Sequence, residues 1–127
     1  MCELIRKGFN QVRKEQNPAA PEVGLFPNNW ATGGHLKNSG LRDFYHPHKK
    51  GSRSRHYYSF CADLHTTSGA TEKELYDHIL EYQDFYYSKG LTTLEDENFT
   101  LNDQGQGWVH VSIEWRPFEE KIRIIKP

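Results

Sequence analysis

Cysteine is scarce in this chain. The two present, Cys2 and Cys61, do not make the disulfide framework on which small secreted domains rely. Cys61, in the apolar run Phe60-Cys61-Ala62, reads as a buried thiol acting as a small hydrophobe, and Cys2 reads as part of a loose terminus. Apolar runs are short as well, and none approaches the roughly 20 residues that span a bilayer. The opening residues, Met1-Cys2-Glu3-Leu4-Ile5-Arg6-Lys7, lack the long apolar stretch and cleavage site of a secretory signal. Net charge is nearly absent: 16 basic against 17 acidic residues leave −1, so no global field attracts nucleic acid or an acidic membrane. Hydrophobic residues make up only 35% of the 127 and mean hydropathy is −0.86, which limits the chain to a small core. What is plentiful is aromatic: seven Tyr, seven Phe and three Trp supply much of that core. The length fits one domain, residues 1–127, taken as a monomer.

The periodicity of apolar residues sets the expected elements. Leu4, Ile5, Phe9 and Val12 recur at helical spacing and predict a helix over about 3–14, ended by Asn17-Pro18 and Pro21. A loop-like stretch with Gly24, Pro27, Gly33 and Gly34 follows, then a short strand within 35–42 and a polar, basic loop over 43–55. Residues 60–64 read as a strand. Thr71 and Glu74 have the spacing of a capping box, which opens a helix over 71–88, stopped by Gly90, with Leu75, Ile79, Tyr82 and Tyr86 on one face. Residues 92–106 are acidic and polar and read mostly as loop. Alternation then predicts a strand with Val109, Val111, Ile113 and Trp115 on one side and Trp108, His110, Ser112 and Glu114 on the other. Ile122, Ile124 and Ile125 predict a last strand. The sum is a small α+β domain: an antiparallel sheet with two main helices packed on one side and a cleft on the sheet.

Three residues in this frame point to chemistry. His110 lies on the polar face of an alternating strand, and His56 ends the basic loop. Asp63 is embedded in an apolar strand, where a carboxylate is costly unless paired or metal-bound. A catalytic zinc takes three protein ligands, His nitrogens and a carboxylate oxygen, and keeps a fourth position open. His56, Asp63 and His110 satisfy that requirement, with Zn2+ as the expected cofactor.

The motifs around these residues resemble a known family. Ser54-Arg55-His56, six residues and then Asp63 is similar to the Ser-x-His-(six residues)-Asp signature of the hedgehog/D-Ala-D-Ala metallopeptidases. Trp108-Val109-His110-Val111-Ser112 resembles the strand that carries their last zinc ligand, and Ser39-Gly40-Leu41-Arg42 resembles their upstream Ser-Gly-x-Arg segment. The resemblance runs from residue 39 to residue 112. It implies a zinc peptidase that hydrolyses peptidoglycan stem peptides containing D-amino acids, as a carboxypeptidase or an endolysin-type endopeptidase of phage or bacterial origin. Arg42 would stabilise the oxyanion, and Ser54, Tyr57 and Trp108 would contact substrate. Such a protein would stay cytoplasmic until released, or travel on a virion.

Two positions depart from the pattern. Ser59 stands where the family usually has Gly. The general base, usually a Glu or Asp three or six residues before the last His, is replaced by Gly107 and Gln104. The nearest carboxylates are therefore the candidates, and since Leu94-Glu95-Asp96-Glu97 could be the strand that holds the base, Glu95 comes first, then Glu97 and Asp103. Without a base the scaffold would be a zinc-stabilised, non-catalytic wall-binding or phage structural domain. The basic loop from His46 to Arg55, preceded by Phe44 and Tyr45, has the composition of a nucleic-acid contact, but with no net positive charge it reads as a solvated loop and no nucleic-acid partner is expected. His65 reads first as a surface residue at a strand end, with a role in supporting a ligand or contacting substrate as the alternative, and His78 reads as a structural residue on the polar side of its helix.

Overall fold

The computed structural model describes residues 1–26, 60–67, 69–113 and 121–126. Among them, α1 (Cys2–Gln16) is followed by β1 (Leu25–Phe26) and β2 (Phe60–Thr66). Next come α2 (Glu72–Glu81), α3 (Gln83–Ser88), β3 (Thr93–Glu95), α4 (Glu97–Thr100), β4 (Val109–Ile113) and β5 (Arg123–Ile125). The five strands form one sheet in the order β1-β2-β4-β3-β5. Mixed α+β architecture is thus present, with one difference from the expected antiparallel sheet: β3 and β5 run parallel. Both sides of β4 are taken, by β2 and by β3, and the last strand adds to the outer side of β3.

Local sequence accounts for the helices. In α1 the buried Ile5 and Phe9 are one turn apart, and Glu3 and the pair Arg13 and Lys14 complement the two ends of the helix dipole. Cys2 is half-buried against the core rather than loose, and that burial pushes its thiol pKa up. The capping box of α2 is formed: the Glu74 amide donates to Thr71 Oγ1 at 3.3 Å and the Thr71 amide to Glu74 Oε2 at 3.1 Å. The helix anticipated as one piece to residue 88 is broken at Tyr82, whose backbone leaves helical values (φ −107°, ψ 29°). Residues eight apart in an unbroken helix are about 12 Å apart along the axis. The break and two long side chains let buried Tyr86 reach back to His78, with 2.5 Å between Oη and Nε2. The segment read mostly as loop contains β3, which covers Leu94 and Glu95 of the possible 94–97 strand, and the short α4, which Asp96 caps by accepting from the Asn98 amide at 2.9 Å.

Alternation along the strands divides the sheet. Leu64, Leu94, Val109 and Val111 join Ile5, Phe9, Leu75 and Ile79 of the helices in one apolar core. The residues between them, Asp63, His65, Thr93, His110 and Ser112, line the opposite face. That face is not an exposed polar surface, since all five are buried. In β4 it is Ile113, expected inside, that is exposed at the strand's end. The strand expected within 35–42 and the loop over 43–55 lie outside the described residues.

Candidate functional site

Register creates the site. In the β2–β4 ladder Asp63 is directly opposite His110, as Leu64 is opposite Val109 and Ala62 opposite Val111. Two side chains opposite one another on the same face meet, and here both are buried, at 7% and 4% exposure. Asp63 Oδ1 and His110 Nδ1 are 2.7 Å apart. A carboxylate accepts, so the ring nitrogen donates, and the bond offsets much of the cost of burying either group. From the other side β3 pairs with β4, Thr93 opposite Ser112 and Leu94 opposite Val111. Glu95 follows on the same face as Thr93 and brings its Oε2 to 3.7 Å from His110 Nδ1. Three adjacent strands thus place two carboxylates and an imidazole together. The surrounding face is finished by Thr93 and Ser112, with Thr92 Oγ1 donating to the Ser112 carbonyl at 3.2 Å.

The other two carboxylates go elsewhere. Glu97 opens α4 and forms an ion pair with Lys73 of α2, which together with Asp77 raises the lysine's pKa. Asp103 is exposed in the turn organised by Asn102, whose Oδ1 accepts from the Gln104 and Gln106 amides at 3.0 and 2.9 Å.

Comparison of the chain with protein-family models, with curated proteins and with solved structures finds no match.

The approach to β4 explains the glycine at position 107. Gly107 has φ +150°, and a Cβ there would run into the Thr100 carbonyl oxygen. That carbonyl accepts from the Trp108 amide at 3.2 Å, and Gly107 bridges to Leu101. No side chain fits at 107, so a carboxylate cannot stand three residues before His110. Glu95 approaches the same histidine from a neighbouring strand. Trp108 is half-buried.

His65 was expected at the surface and is buried at 5% exposure, because β2 continues to Thr66 and pairs there with β1. The signal for it was period two: His65 shares a face with Asp63. His78 is likewise buried, among Phe9, Tyr82 and Tyr86, rather than on a polar side, and burial lowers its pKa to about 4. It remains structural in its contacts. His56, Arg42, Ser54 and Tyr57 lie outside the described residues. So does the side chain of Cys61.

Whether these residues suit a metal can be asked of the donor atoms. Among the described residues no three His, Cys, Asp or Glu side chains close up into a set able to hold an ion by themselves. Asp63 and His110 offer two donors whose separation, 2.7 Å, is held by a hydrogen bond. Ligands bound to tetrahedral zinc at about 2.0–2.1 Å are about 3.3 Å apart. Opening the pair by a few tenths of an ångström, with loss of the shared proton, would let both oxygen and nitrogen face an ion. The donor set is chemically suitable, a hard carboxylate and an imidazole, and incomplete without a third ligand.

Proposed function

We propose that the chain is a zinc-dependent peptidase acting on peptidoglycan stem peptides, a reading that joins the motif resemblance to the site on β2, β3 and β4. The observation that carries it is the meeting of Asp63, His110 and Glu95 on one buried sheet face. Asp63 and His110, with His56 as third ligand, would hold the metal. Zinc, when bound, supplies Lewis acidity that polarises a carbonyl and makes water easier to deprotonate.

Glu95 would take the proton from the attacking water and return it to the leaving amine, a role that asks for a carboxylate beside the ligands rather than among them. Arg42 would stabilise the charge that develops on the carbonyl oxygen. Ser54, Tyr57 and Trp108 would position the peptide. Burial of the face favours this chemistry, since charges interact more strongly where water is excluded.

The test combines metal analysis with cleavage of purified peptidoglycan. Wild type should hold one zinc per chain, and Asp63→Ala and His110→Ala should lose it. Glu95→Gln should keep the zinc and lose cleavage by about 10²–10⁴-fold. A wild type without zinc affinity would sink the reading. Zinc retained with no cleavage of any wall type would point instead to a non-catalytic wall-binding domain.

A further inference from the structure

His65 is a buried titratable group on the site's face that the proposed reaction leaves unused. Backbone pairing between β2 and β4 stops at Leu64 opposite Val109, and beyond that point residues 65 and 66 pair with β1 instead. There the His65 side chain continues the connection. Its Nδ1 is 3.0 Å from the Gly107 carbonyl oxygen, which can only accept, so Nδ1 carries the proton and donates. The ring is stacked on Phe26, its register partner on β1, with centroids 5.5 Å apart and planes 26° from parallel. One side chain therefore links β1 and β2 to the segment that leads into β4, three residues ahead of His110.

We propose that His65 is a positioning residue that fixes the register of His110 against Asp63, acting through the Gly107 carbonyl. The proposal takes its functional meaning from the zinc-peptidase reading. A slip of β4 by one residue would put Val109 or Val111 opposite Asp63 and turn His110 toward the helices. Gly107 is a suitable point to hold, because it is already bridged to Leu101 and the next residue, Trp108, donates to the Thr100 carbonyl. The bond also extends the connection between the two strands beyond their last register pair, Leu64 and Val109.

The test uses the full chain without metal and reads the imidazole N–H of His110 by nuclear magnetic resonance, with amide exchange at Val109 and Val111. Asn carries its side-chain N–H close to where the His Nδ1–H stands, Gln places it near Nε2, and Leu has none. Wild type and His65→Asn should show a His110 Nδ1–H signal shifted downfield by Asp63. In His65→Leu that signal should be lost and amide exchange should rise about tenfold, the worth of one hydrogen bond. An unchanged His110 signal in His65→Leu, or its loss in His65→Asn, would overturn the proposal. Should His65→Leu fail to fold, the Asn and Gln variants decide: signal kept in Asn and lost in Gln supports it, and any other pattern overturns it. Zinc titration of wild type reads the parent function separately, because absence of binding removes that function without touching the His110 signal.

Discussion

At position 107 a hydrogen atom in place of a side chain is a packing requirement. The positive φ and the contact with the Thr100 carbonyl both oppose a Cβ, so Gly107→Ala should lower stability by about 2 kcal/mol or more, read by urea unfolding. A neutral result would mean that Thr100 yields easily. The same scale shows how far the site was legible. Asp63 and His110 stood out because a carboxylate and an imidazole lay among apolar neighbours. Three carboxylates remained open as the base, since sequence distance says nothing about distance across a sheet. Glu95 is next to His110 only because β3 pairs with β4, while Glu97 is held by Lys73. His65 read first as a surface residue because the length of β2, and so its burial, depends on β1.

Among the elements, α2 was the most readable, because its capping box is a local event that needs no tertiary partner. Thr71→Ala should cost about 1 kcal/mol, seen as a drop of a few degrees in the thermal midpoint, because the Glu74 amide loses its acceptor, Thr71 Oγ1. The break at Tyr82 was not readable, because it serves a contact between side chains of three helices. Gly8 of α1 is packed under the Tyr86 hydroxyl, itself bonded to His78. Alanine normally favours a helix interior over glycine by about 1 kcal/mol. Gly8→Ala should nevertheless destabilise the wild type, because its methyl group would overlap that hydroxyl. In a Tyr86→Phe background the same change should be neutral or stabilising. A double-mutant cycle checks this, and equal effects in both backgrounds would show that the contact carries no weight.

On the scale of the whole molecule, stability should depend on acid through His78. The buried ring takes a proton only near pH 4, whereas in the unfolded chain it does so near 6.5. Between those values the unfolded state binds more protons, so stability falls as the pH is lowered. The contribution is fully present above about pH 6.5, is lost progressively toward pH 4 and amounts to at most about 3 kcal/mol. His78→Gln, whose amide can still meet Tyr86, should unfold with a shallower pH dependence in that window. Urea titrations at pH 7, 6 and 5 would measure the difference, and parallel curves would refute it. The Tyr86 phenol, pushed up to about 12 by burial and then by Tyr82, stays protonated throughout and does not enter this balance.

What the chain determined by itself is whatever depends on neighbours in sequence. Helix periodicity marked α1 and α2, the capping box marked where α2 begins, and alternation marked β4. The tertiary structure decided what depends on neighbours in space. It buried both faces of β4, ran β5 parallel to β3, broke the second helix at Tyr82 and brought Glu95 to His110. The physical reason is the same in each case. A residue's period along the chain fixes which face it occupies, but only pairing and packing fix what that face meets.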